Sequence, residues 1–181
     1  MTRSIAAGAL LALATLTAAP ASANPTDDVR AAMLKFADLS SWEMSFGSGA
    51  RQATMDFIKP NSMRMSSRGM QMVHVGNTTY VNMNGKWQRL THERVRGGFE
   101  MADHIRRAVS ASNNVAAIDL GMKSIGGETL HAYKMTPKDG QSGTIYIGGD
   151  GLPHRFQGRD TNNETVTISK FNAVPPIRAP I

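Results

Sequence analysis

Methionine is the residue whose number and spacing in this sequence point most directly to a chemical role. The chain holds 12 methionines in 181 residues, and seven of them fall between Met44 and Met83. Met63/Met65 and Met70/Met72 stand two residues apart, the repeat of one face of a strand. Strands favour β-branched and aromatic side chains, so a methionine-lined sheet face is not explained by strand propensity. An unbranched thioether adapts to irregular gaps, which makes it a core filler. The same adaptability makes it a deformable apolar surface that accepts flexible or varied chains. Both readings stand on the sequence alone.

Other chemistry is harder to find. The five histidines, His74, His92, His104, His131 and His154, form neither an HExxH nor an HxH arrangement, and no acidic cluster offers a hard-cation site. Asp160 to Glu164 lacks the central glycine and terminal glutamate of a calcium loop. Gly140-Gln141-Ser142-Gly143 lacks the spacing of a nucleophile elbow, and Gly148 to Gly151 precedes a strand rather than the helix a phosphate loop needs. With no cysteine there is no thiol nucleophile, disulfide, iron–sulfur cluster or acylated lipoprotein anchor. The sequence therefore supplies no catalytic set, metal site or cofactor. An enzyme would require histidines distant in sequence to converge, with an acidic partner beside His74 or His131.

The net charge of +6 suits contact with anionic headgroups or acidic partners. No basic stretch is interleaved with aromatic residues, which argues against nucleic acid. Arg89, Arg94, Arg96, Arg106 and Arg107 form the most basic region, either a solvated face or a rim attracting phosphate headgroups.

These side chains need elements to position them. Thr2-Arg3, the apolar run Ile5 to Ala19 and the small-residue sequence Pro20-Ala21-Ser22-Ala23 read as a secretory signal peptide over 1–23, cleaved after Ala23. Residues 24–181 then form one domain, exported to a periplasm. Helical spacing of Val29, Met33 and Phe36 predicts a helix from Thr26 to Leu39. From Ser41 the period becomes two. Trp42, Met44 and Phe46 share a face, Met55 and Phe57 follow on the next strand, and the alternation runs on through Met63, Met65, Met70 and Met72; Thr79, Val81 and Met83 share a face before Trp87. Asn84-Gly85 is the strongest hairpin signal. Phe99, Ala102, Ile105 and Val109 mark a helical insertion over 91–113. Strands resume at Val115–Leu120, Thr129–Thr136, Thr144–Ile147, His154–Gln157 and Glu164–Phe171. The class is α+β: one antiparallel sheet of about 10–11 strands, which must curl, split or be covered, with an N-terminal helix and a central helical insertion.

The stretch Met55-Asp56-Phe57-Ile58-Lys59-Pro60-Asn61-Ser62-Met63-Arg64-Met65 leads to Val75-Gly76-Asn77-Thr78-Thr79-Tyr80 and then Trp87. With Tyr133, Gly151-Leu152-Pro153 and Ser169-Lys170-Phe171-Asn172, this order resembles the periplasmic lipoprotein-carrier superfamily, LolA-like and LppX-like. The resemblance implies an incomplete barrel with a helical lid over a cavity for lipid or lipoprotein acyl chains. It implies an apolar lining of Trp42, Met44, Phe46, Met55, Phe57, Met63, Met65, Met70, Met72 and Tyr80, and a lid carrying Phe99, Ile105 and Val109. Arg64 matches the position where the pattern often carries arginine, implying a headgroup or gating role, with Arg106 beside the lid. The expected protein is a monomeric, non-enzymatic carrier of a hydrophobic ligand, exchanging with membrane-bound donor or acceptor proteins. The alternative is a non-transporting envelope interaction or stress-sensing domain whose cavity is filled by its own lid.

Overall fold

A computed structural model describes residues 24–47, 52–90, 115–137, 142–158 and 165–181. The proposed signal peptide and the insertion at 91–113 lie outside these residues, as do Phe99, Ile105, Val109 and Arg106.

Helix α1 spans Pro25–Ala37, with Asn24 as its cap: the Asn24 side chain accepts from the Thr26 amide at 3.1 Å. Pro25 opens the helix where its missing N–H costs nothing, and Asp27 and Asp28 in the first turn complement the helix dipole. Val29, Ala32 and Phe36, spaced to share one face, are buried.

Eleven strands follow: β1 Ser41–Phe46, β2 Ala53–Ile58, β3 Ser62–Ser67, β4 Met70–Val75, β5 Thr78–Met83, β6 Lys86–Leu90, β7 Val115–Ile125, β8 Glu128–Pro137, β9 Gly143–Ile147, β10 Pro153–Gly158 and β11 Thr165–Ser169. All pair antiparallel in one sheet of order β6-β5-β4-β3-β2-β1-β11-β10-β9-β8-β7. Two meanders are thus joined by β1 and β11, and β6 and β7 are the ends of an unclosed, curved half-barrel. The α+β antiparallel half-barrel expected from the sequence is the observed fold. The largest boundary difference is in the seventh strand; the helix ends at Ala37 rather than Leu39 and the last strand at Ser169 rather than Phe171. The seventh strand continues past Leu120 to Ile125, because Gly121, at φ +72°, takes up a register shift between Asp119 and Met122 instead of ending the strand.

The core lies between α1 and one face of this sheet. Val29 and Ala32 pack with Tyr133, Ile145 and Ile147 on β8 and β9. Phe36 and Leu39 pack with Trp42, Met44, Phe57, Met63, Leu152 and Ile168. Trp42 is held between rings, with Phe36 at 5.1 Å and Phe57 stacked at 5.3 Å between centroids. The Lys59 ammonium donates to the Ala37 carbonyl at the C-terminus of α1 and lies 6.0 Å from the Trp42 ring centroid.

The opposite face carries a charged chain across the joining strands. Arg64 donates through Nε to Asp56 Oδ2 at 2.9 Å, with a second, shorter bond from its terminal nitrogen to the same oxygen. Lys170 donates to Glu43 Oε2 at 2.6 Å, and Ser169 to Glu43 Oε1 at 3.2 Å. Burial opposes ionisation of Glu43, but the hydrogen bond and charge of Lys170, aided by Ser169, hold its carboxyl below the usual range. A carboxyl depressed in the folded state stabilises the protein at neutral pH, and that contribution is lost as pH falls through its folded value. Lys170→Met is therefore expected to cost under about 1 kcal/mol at pH 7, since the lysine is half exposed. Urea denaturation of both proteins should show this difference shrinking as pH falls below the usual carboxylate range. A difference constant over that range would exclude Glu43 as its source.

Candidate functional site: the concave methionine face

Strand pairing decides which methionines face α1. One row of cross-strand neighbours runs Trp42, Phe57, Met63, His74, Thr79 and Leu90. A second runs Ile168, Met44, Met55, Met65, Met72 and Val81, placing a methionine on each of four consecutive strands at one level. A third level holds the direct pair Met70 and Met83. All three rows lie on the face that receives Phe36 and Leu39.

Burial falls from row to row. Trp42, Phe57, Met63, His74 and Thr79 are closed to solvent. In the second row Met44 is buried and Met55, Met65 and Met72 are half-buried. Met70 and Met83 are 37% and 54% exposed. The concave face thus grades from a sealed floor, under the C-terminal end of α1, to an open methionine rim. His74 fits the floor because both its ring nitrogens are engaged, Nδ1 with Thr79 Oγ1 at 2.7 Å and Nε2 with the Gly76 carbonyl at 2.7 Å.

This places the sequence candidates. Trp42, Met44, Phe46, Met55, Phe57, Met63, Met65, Met70 and Met72 share the concave face. Tyr80 does not. It pairs with Val73 and Arg89, one residue out of step with Thr79 and Val81, and so stands on the outer face. Arg64 is also on the outer face, held to buried Asp56 rather than aimed at the methionines. Its placement offers no geometric basis for gating the concave face; it neutralises a carboxylate that burial would otherwise destabilise. Arg64→Met is expected to lower stability by about 1–3 kcal/mol, the low end reflecting the partly exposed guanidinium, and to leave apolar ligand affinity unchanged. Equilibrium denaturation and a binding titration on the same variant check both halves, and a lost affinity in a folded variant would restore the gating role.

Sequence reasoning missed a polar chain at the far side of the face. The Tyr133 hydroxyl donates to Asp28 Oδ2 of α1 at 3.1 Å and meets His131 Nδ1 at 3.0 Å, while His131 Nε2 meets Asp119 Oδ1 at 2.7 Å. The Gly121 amide donates to the same Asp119 oxygen at 2.6 Å, so the β7 bulge shapes this end. Hydrogen bonding from Gly121, then from His131, holds the Asp119 carboxyl below its usual range. His131 thus has the acidic partner on which an enzyme reading would depend. The third member, however, is a buried phenol pushed well above its ordinary pKa, by burial first and then by the carboxylates of Asp28 and Asp119. A phenol so disfavoured as an anion is a poor nucleophile or base. Its geometry fastens α1 to the sheet. Tyr133→Phe should cost about 1–2 kcal/mol and raise amide exchange in α1 while sparing β1–β3. Unchanged exchange in α1 would remove this fastening role.

His154 is likewise structural in its surroundings, with Nδ1 2.6 Å from Glu128 Oε1 and Nε2 3.0 Å from Asp150 Oδ1 across neighbouring turns. Among the described residues no group of three His, Asp, Glu or Cys side chains could hold a metal, and no helix is long and apolar enough to cross a membrane.

No family model and no curated protein matches the sequence. Solved structures do match the fold. The Mycobacterium tuberculosis lipoprotein LppX aligns at a TM-score of 0.61 and 16% identity, over 84% of this chain and 97% of its own. LprF from Mycobacterium bovis aligns at 0.68 and 13%, over 86% and 96%. The chain has the fold of LppX and LprF, the LppX-like fold that the order of its motifs resembles.

Proposed function

We propose that this LppX-like fold serves as a carrier that shelters a hydrophobic ligand, a lipid or a lipoprotein acyl chain, on the concave methionine face. The observation that carries the reading is the graded second and third rows, where thioethers on adjacent strands are left half-buried to exposed. A core that only packed itself would be expected to close them. The signal-like sequence over 1–23 supports export to the periplasm, and the structural neighbour LppX is named a lipoprotein.

Burial of ligand methylenes supplies the driving force, about 0.8 kcal/mol for each one removed from water. Flexible methionines let the face fit a chain that has no fixed shape. α1 borders the floor, and it is fastened at one end by Tyr133 and Asp28 and at the other by Lys59 on Ala37. The protein acts as a monomeric vehicle, with membrane-bound donor or acceptor proteins as its partners and no cofactor or reaction of its own.

Protein purified without detergent from its own envelope should show a lipid-sized adduct in native mass spectrometry, lost on organic extraction. Met72→Asp, in the half-buried row, should abolish that adduct and lower uptake of a fluorescent fatty acid at least tenfold while the variant remains folded. Met63 is unsuitable for this test, because an aspartate at a position 1% exposed would report on folding. An apo protein that also takes up no fatty acid would reject the carrier and leave the interaction domain.

A further inference from the structure

Strand propensity and core packing do not account for Met70 and Met83. Strand propensity disfavours the residue, and at 37% and 54% exposure neither side chain fills a core. They are direct cross-strand partners on the open rim of the concave face. Behind them Met72 and Met65 are half-buried, and Met44 and Met63 are sealed at 6% and 1% exposure. Beyond the flexibility that suits it to a ligand face, a thioether offers what leucine cannot, two-electron oxidation, and susceptibility follows exposure. The chain has no cysteine, so no thiol competes for the oxidant.

We propose that Met70 and Met83 form a reversible oxidation site through which a peroxide weakens apolar binding on the concave face; this rests on the carrier reading above. The methionine sulfur attacks one peroxide oxygen, a sulfur–oxygen bond forms as the oxygen–oxygen bond breaks, and the second oxygen leaves as water. Sulfur gives up two electrons and the peroxide takes them. The sulfoxide is polar and a strong hydrogen-bond acceptor, so an apolar chain lying across the rim must strip it of water. Two such groups side by side place that cost at the entrance, while the sealed methionines beneath keep the fold intact. Methionine sulfoxide reductase reverses the step: two thiols supply two electrons and two protons and become a disulfide, the oxygen leaves as water, and the thioether rim is restored.

The experiment uses the chain without its first 23 residues, still carrying every methionine but Met1, and titrates dansyl-undecanoic acid before and after graded hydrogen peroxide. Peptide mapping follows the sites. Met122, 60% exposed on β7 at the other end of the sheet, is the internal control. Wild type and Met122→Leu should lose affinity about tenfold once Met70 and Met83 carry oxygen, and regain it with the reductase. The double variant Met70→Leu/Met83→Leu, whatever its affinity before peroxide, should show no further loss through the same exposure. An equal loss in the double variant, or unchanged affinity in wild type oxidised at both sites, overturns the proposal and leaves the carrier reading intact. Failure to bind the probe before any peroxide is added overturns the carrier reading, and the oxidation site with it.

Discussion

The pairing of β1 with β11 is the contact on which the rest of the molecule depends. It joins residues more than 120 positions apart, Glu43 with Ser169 and Met44 with Ile168, and turns two local meanders into one sheet. Each meander alone would be a ribbon of hairpins with one apolar face open to water. The tail reinforces the join. Asn172 donates its amide to the Ser41 carbonyl at 2.8 Å, and its side-chain oxygen accepts from the Ser40 amide at 2.7 Å. Closing such a long loop is entropically costly before it is rewarded, so this pairing should form late in folding, after the hairpins.

Position of the helix follows from that seam. α1 immediately precedes β1, so its C-terminus is delivered to the middle of the sheet, and Phe36 and Leu39 land on Trp42, Met44 and Ile168. Its N-terminal half then lies over β8 and β9, where Val29 and Ala32 meet Ile145 and Tyr133. Because the helix leans toward the β7–β10 side, its apolar stripe does not reach the third row of β4 and β5. The burial gradient across the methionines is a consequence of where one 13-residue helix ends.

Much of this was legible in the sequence, and the parts that were not have definite causes. Period-two alternation located the strands, and Asn84-Gly85 located a turn with positive φ at both residues, as the backbone shows. The shared face of Trp42, Met44, Phe57 and the methionines is the same alternation carried from strand to strand. Tyr80 was misplaced because aromatic character outweighed parity, although its neighbours Thr79 and Val81 carried the correct signal. The contrast between sealed Met63 and half-buried Met65 was invisible, since it depends on the reach of α1 and not on either strand. Arg64 gave no sign of its ion pair in the sequence, because its partner, Asp56, lies on another strand and becomes its neighbour only through register. The Asp28–Tyr133–His131–Asp119 chain draws on three elements, and no local spacing could have announced it.

A face built this way has a particular balance between affinity and release. From Ile168 to Val81 the second row crosses five strand spacings, roughly 24 Å at about 4.8 Å each. Burying ten ligand methylenes along it would contribute about 8 kcal/mol, against an association cost of at least about 4 kcal/mol. A fully enclosed site would add to the gain but would have to open for each exchange. A half-open row of flexible side chains accepts a smaller gain and keeps one side of the chain within reach of water or of a partner. Leucine or isoleucine at these positions would pack each other more firmly and fit a moving chain less well. Methionine at Met55, Met65 and Met72 therefore suits the proposed carrier, whose surface would be occupied and vacated, and it stands where the helix leaves the sheet only partly covered.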